Sequence, residues 1–364
     1  MQPPLRIERM KIDGDTREAL DAVGLPADVA EAWARFTAPL ARTVFTARAG
    51  DELLGAAITV SRPLAGYLRV GGLWLSDPQN ADEVVRLLGQ GAEDFAWESG
   101  FVVVKREPDL DAAADEDSDP SDADGRWATV PAPEFAGPIP DPAPPVPLAR
   151  FKWRSGSGPS AVPYMRQTTD FTCGPAALSM LLARRGILGA LARETELALW
   201  RQATAIGPCD PYGLAVTADG QGLRPQIVIN TADTLFLEGL ATPQERELKE
   251  FIQDGFKRQA EDAGIDVRRH AFEIEELAEL IGEGGAAIVL VDELLVHDDQ
   301  CPHWILVHGM EDGCFIAHDP WTEVSQGESW LDGYNVPLAP DALDRIAWTG
   351  NPPVRAMLTF APPA

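Results

Sequence analysis

The sequence predicts a small α/β domain at 1–106, a linker at 107–150 and an α+β domain at 151–364. The first observation behind this is length. At 364 residues, 45% hydrophobic and 24% charged, the chain exceeds one ordinary domain and can bury two cores. The second is a break in composition: Asp and Glu crowd 107–124, and Pro recurs at 131, 133, 138, 140, 142, 144, 145 and 147. Such a stretch offers no core-forming surface, so its acidic half is expected to be solvated and its proline half to be an extended spacer. The third is periodicity, which alternates between strand and helix patterns on both sides of the break.

Before the break the pattern gives a strand at 5–12, helices at 16–23 and 27–36, and strands at 43–48, 53–60 and 67–75. A helix at 81–98 and a strand at 101–105 follow, and the sheet is expected to end there because the linker begins at once. Ala49-Gly50-Asp51 marks a turn between two strands. The loop after the fourth strand reads Ser76-Asp77-Pro78-Gln79-Asn80-Ala81-Asp82-Glu83, without glycine and with three carboxylates.

After the break, Gln167 precedes Thr168-Thr169-Asp170-Phe171-Thr172-Cys173-Gly174-Pro175-Ala176-Ala177 and an apolar run that ends at Gly186. Pro175 suits a first helical turn and Gly186 a C′ position, so a buried central helix is expected with Cys173 at its start. Unpaired N–H groups and the helix dipole at such a start stabilise a thiolate, which makes the cysteine a candidate nucleophile; the alternative is a small packing residue. A turn-rich loop, Gly207-Pro208-Cys209-Asp210-Pro211-Tyr212-Gly213, enters a short helix at 214–219. Cys209 either lines a cleft near Cys173 or belongs to a turn that Gly207 and Pro208 fix. Strands are expected at 227–229 and 286–291, and helices at 245–263 and 273–281.

The stretch 302–321 reads as a hairpin around Asp312-Gly313. With a three-residue loop, Glu311 to Gly313, Met310 pairs with Cys314 and Ile305 with Asp319, which sets Asp319 diagonal to His303 on one face. A two-residue loop shifts the register by one and puts the two side chains on opposite faces. A zinc site from Cys301, His303, Cys314 and His318 is the minor alternative, weakened by the absence of any Cys-x-x-Cys pair.

Gln167 six positions before Cys173, the Cys-Gly-Pro-Ala-Ala helix start, and the His303 and Asp319 strand ends together resemble the papain-like cysteine peptidases. The closest resemblance is to the bacteriocin-processing peptidases that cleave double-glycine leader peptides, including their stand-alone relatives. It covers about 160 residues, and it implies Cys173 as nucleophile, His303 as general base and acid, Asp319 as the group orienting the imidazole, and Gln167 as an oxyanion donor. The transporter and ATPase domains of many such peptidases have no counterpart here. By its β-α-α-β-β-β-α-β order the front domain resembles a degenerate GNAT-type acetyltransferase, whose glycine-rich pyrophosphate loop is replaced by the carboxylate-bearing loop at 76–83.

The expected function is therefore hydrolysis of a peptide or isopeptide bond; the rivals are thiol acyltransfer on the same triad and a non-catalytic peptide-binding module. With 57 acidic against 30 basic residues, a formal net charge of −27 disfavours nucleic acid and anionic membranes as partners, leaving a peptide or protein substrate. Neither a metal nor another cofactor is expected. Four cysteines in 364 residues make no disulfide scaffold, and with no signal sequence or membrane-spanning run the expected location is the cytoplasm. Oligomeric state has no signature in the sequence.

Overall fold

Alternating apolar residues near the start of the chain build a sheet that is covered on both faces. The structure, a computed structural model, describes residues 4–77, 81–106, 127–131, 148–238 and 240–363. These divide into a first unit drawn from 4–131, 148–158 and 323–332, and a second drawn from 159–322 and 333–363.

The first unit contains β1 (Leu5–Ile12), α1 (Thr16–Val23), α2 (Ala27–Trp33), β2 (Ala41–Ala49), β3 (Glu52–Ser61), β4 (Tyr67–Leu75), α3 (Ala81–Glu98), β5 (Val103–Arg106), β6 (Ala128–Pro131) and β7 (Leu148–Trp153). Its sheet runs β1-β2-β3-β4-β5-β7-β6; β4 and β5 are parallel, and the other neighbours are antiparallel. One core joins Leu20 and Ala30 of the first helices, with Trp33 and Phe36, to Val44, Ile58 and Val60. The other sets Val84, Leu88, Ala92 and Ala96 of α3 against Phe45, Ala57, Leu68 and Val104. Adjacent residues of β2, Val44 and Phe45, thus serve opposite cores, as strand geometry requires.

Two expectations about the layout need correction. The sheet does not end at the strand after α3: β6 and β7 extend it by two strands, within what was expected to be linker. In β7 the buried Ala149, Phe151 and Trp153 alternate with Arg150 and Lys152, a period-two signal that the surrounding proline content outweighed. Residues 107–126 and 132–147 of the expected linker lie outside the described residues.

The second correction is that residues 323–332 belong to the first unit. Arg62 donates to both oxygens of Glu328 at 2.7 and 2.6 Å, and Asp332 Oδ1 accepts from Tyr67 Oη at 2.7 Å and Arg69 Nε at 3.0 Å. Lys105 Nζ donates to Leu331 O at 2.7 Å. All these side chains are buried, so each charge depends on its partner for compensation. Burial holds Lys105 well below its ordinary pKa, although Asp332 favours its charge. Short-range pattern carries no trace of this pairing, which joins positions more than 200 apart in sequence.

The second unit begins with α4 (Cys173–Arg184), α5 (Arg193–Ala203), α6 (Pro211–Gly220), β8 (Pro225–Ile229), α7 (Pro243–Asp262), β9 (Asp266–Arg268) and α8 (Ile274–Gly282). It continues with β10 (Ala286–Asp292), α9 (Leu294–His297), β11 (Pro302–Glu311) and β12 (Cys314–His318). After the excursion into the first unit, where α10 (Trp330–Gly333) lies largely, it closes with β13 (Val336–Leu338), α11 (Pro340–Ile346) and β14 (Ala356–Phe360). The sheet order is β13-β12-β11-β10-β14-β8-β9, with only β8 and β9 parallel. Every residue of α4 from Cys173 to Leu182 is buried, so the expected central helix is present. Among the described residues no helix is long and apolar enough to cross a membrane.

Candidate active site

The β11–β12 hairpin resolves the register question in an unexpected way. Its loop has two residues, Asp312 (φ 49°) and Gly313 (φ 77°), both left-handed, so Glu311 pairs with Cys314 and Met310 with Phe315. Left uninterrupted, that register would put His303 and Asp319 on opposite faces. A bulge between Val307 and Gly309 takes up one residue, and beyond it Val307 pairs with Ala317 and Leu306 with His318. The next positions, Ile305 and Asp319, then fall opposite one another. The short turn together with a bulge at His308 gives the arrangement expected from a longer loop.

His303 Nε2 donates to Asp319 Oδ1 at 2.8 Å, and the same oxygen accepts from Trp321 N–H at 2.8 Å. Tyr164 Oη donates to Asp319 O at 2.9 Å, and Asp319 N–H donates to Gly333 O at 2.9 Å, so the carboxylate is held through its backbone as well. Cys173 lies near enough to the imidazole to favour its charge. Cys173 (4% exposed), His303 (4%) and Asp319 (8%) therefore form one buried cluster. Burial opposes charge on His303, but Glu293 and Asp319, with the hydrogen bond to Asp319 and the nearby Cys173, outweigh it and raise its pKa well above the ordinary histidine value.

Gln167 is buried in the loop before α4, where its N–H donates to Pro320 O at 2.9 Å and ties that loop to the Asp319 segment. Its Nε2 donates to Thr169 O at 2.8 Å, which leaves the second amide hydrogen for another acceptor. Gly174 is closely packed: a Cβ there would lie 3.2 Å from both Leu214 Cδ2 and Trp304 Cδ1, so those side chains would have to give by a few tenths of an ångström.

Residues 162–361, more than half of the chain, match the model of DUF3335, the Peptidase_C39 like family. The chain belongs to this family. No curated protein matches it significantly. Among solved structures, this C39-like chain is similar to a double glycine motif protease from an AMS/PCAT transporter in complex with the leader peptide, at 16% identity and TM-score 0.31, covering 57% of this chain and 95% of that one. It is also similar to the peptidase domain of Streptococcus ComA, a bi-functional ABC transporter involved in a quorum-sensing pathway, at 15% identity and TM-score 0.27, over 55% and 97% of the two chains. A Bacillus subtilis acetyltransferase in complex with CoA shares 15% identity at TM-score 0.27, over 41% and 99%.

Sequence reading missed two acids of this candidate site. Glu196 on α5 accepts from Thr168 N–H at 2.9 Å and Thr168 Oγ1 at 2.6 Å, bracing the loop that carries Gln167. Glu293, between β10 and α9, sets Oε1 at 3.3 Å from His303 Nδ1 and Oε2 at 3.3 Å from His297 Nδ1. The pairing of Val291 with His303 carries Glu293 to this place, and no motif announces it.

Burial first, then the charge of Cys173, pushes the Cys209 thiol pKa well up. Its carbonyl accepts from Trp304 Nε1 at 3.0 Å. The four-residue zinc alternative is not assembled. Cys314 sits at the hairpin tip, while His318 donates to Val162 O at 3.0 Å and accepts from Asn335 N–H at 3.1 Å, engaging both ring nitrogens. Glu293, His303 and Asp319 offer ligand atoms within 4.8 Å of one another. The shortest contacts are Asp319 Oδ1 to Nε2 at 2.8 Å and Glu293 Oε1 to Nδ1 at 3.3 Å, so the two carboxylates also favour a charged imidazolium.

Proposed function

We propose that the chain is a cysteine peptidase that hydrolyses a peptide or isopeptide bond with Cys173, His303, Asp319 and Gln167. The observation that carries this is an imidazole hydrogen-bonded to a carboxylate, with a buried helix-start cysteine near enough to favour its charge. In this reading the Cys173 thiolate attacks the carbonyl carbon and His303 hands its proton to the leaving amine. The oxyanion takes hydrogen bonds from the Gln167 amide and the Cys173 N–H. Water, deprotonated by His303, then releases the acyl group. An epoxide probe should label Cys173 in the wild-type chain and fail to label Cys173→Ala. A peptide turned over in the presence of a competing amine should yield the acid; an amide product would identify an acyltransferase instead.

We infer that the first unit is an acetyltransferase-like fold that does not bind acetyl-CoA. In support, the loop after β4 lacks glycine, and Arg69 of β4 and Lys105 of β5 already engage Asp332 and the Leu331 carbonyl. Millimolar acetyl-CoA should leave the melting temperature unchanged, whereas saturation to a hundred times Kd would stabilise by about 2.7 kcal/mol.

A further inference from the structure

Glu293 is 6% exposed, and its Oε1, 3.3 Å from His303 Nδ1, accepts no hydrogen bond among the described residues. A buried carboxylate oxygen in that state is costly unless a cation lies against it. Its place is set by the sheet. Asp292 pairs with Pro302, and Glu293 N–H donates to Cys301 O at 3.1 Å, which continues the ladder one step and brings the side chain beside His303. The other titratable groups facing this pair are Asp319 beyond β12, Cys173 on α4, His297 on α9, and Cys301 and Asp299 in the connection between α9 and β11. Asp319 occupies Nε2, and Glu293 is the carboxylate on the Nδ1 side.

We propose that Glu293 is a positioning residue for the nucleophile pair, a second carboxylate opposing Asp319 across the imidazole that keeps His303 charged while Cys173 reacts. This rests on the reading of Cys173 as nucleophile. Its consequence is a thiolate–imidazolium pair that persists further into the alkaline range than one carboxylate would allow.

Alkylation of Cys173, quantified peptide by peptide, tests it with iodoacetate and iodoacetamide across pH. In both reactions the thiolate displaces iodide as a C–S bond replaces C–I, but only the anionic reagent is drawn by an adjacent imidazolium. The iodoacetate-to-iodoacetamide rate ratio therefore falls as His303 loses its proton. In Glu293→Gln the midpoint of that fall should move down by about one pH unit or more, while Glu293→Asp should fall between the two. Should the Gln variant not fold, the Asp variant carries the same test with a smaller shift. A folded variant with an unmoved midpoint overturns the role of Glu293 alone. No iodoacetate preference in the wild-type chain overturns the nucleophile reading and this inference with it.

Discussion

Replacing Asp210 by Asn should remove the pH dependence that this buried carboxyl imposes on the second unit. Asp210 caps α6, where Oδ1 accepts from Tyr212 N–H at 2.9 Å and Gly213 N–H at 3.1 Å, while Oδ2 accepts no hydrogen bond among the described residues. Burial raises its pKa from 3.8 to about 6, against the pull of the Gly213 N–H and Lys249. Between those two values the native state binds more protons than the unfolded chain. The stability this group contributes is therefore complete below about pH 4 and is lost as pH rises through 6. The difference of about 2 units corresponds to roughly 3 kcal/mol. Asn keeps the capping oxygen and cannot ionise, so relative to wild type it should gain up to that amount between pH 4 and 7. The gain is an upper bound, because Lys249, which donates to Ile206 O and Pro208 O at 2.7 Å, loses a charge that supports its own. Urea unfolding followed by circular dichroism at several pH values measures it. A stability difference between variant and wild type that stays constant from pH 4.5 to 7.5 would refute the reasoning.

With a peptide that the wild-type chain cleaves, Cys173→Ala and His303→Ala should each abolish turnover, and the double variant should be no worse than either, since the residues act as a unit. Asp319→Asn should lower kcat without unfolding the chain, because an amide oxygen can still accept from His303 and Trp321 N–H while the charge is gone. Gln167→Ala should cost on the order of 10²-fold in kcat with little change in KM, as expected for an oxyanion donor. In the first unit, Asp332→Ala removes the carboxylate that compensates the buried Arg69 charge and should cost about 3–5 kcal/mol, lowering that unit's melting midpoint by roughly 10 °C. Glu31→Gln, which faces Arg17 at the surface, should leave that midpoint in place.

Elements with strong local signals were legible in the sequence: β1, α1, β4 and α3 occupy the spans that periodicity and turn residues predict. Cys173 and its helix were legible for the same reason, since proline, glycine and an apolar run act over a few residues. What escaped depends on distant partners. The placement of Asp319 beside His303 was expected from a three-residue loop, but it is reached by a two-residue turn and a compensating bulge, and alternation alone cannot count the extra residue. Glu293 becomes part of the site only once β10 is aligned with β11, and Glu328 and Asp332 look like ordinary surface acids until Arg62 and Arg69 are placed against them.

The placement of the two carboxylates has a kinetic consequence for the proposed reaction. While His303 is protonated, Asp319 and Glu293 stabilise it and make it a reluctant acid, so proton delivery to the leaving amine in acylation is the harder transfer. Once that proton has gone, the neutral imidazole lies between two anions in a buried site, and its raised proton affinity makes it a strong base toward the deacylating water. Acylation should therefore limit turnover of amide substrates, and rapid-quench kinetics should show no burst of the amine product ahead of the steady state. An activated ester, whose leaving group needs little protonation, should bypass the slow step and turn over faster than the matching amide. A stoichiometric burst with the amide would mean that deacylation is slow, and that His303 is not the strengthened base this geometry calls for.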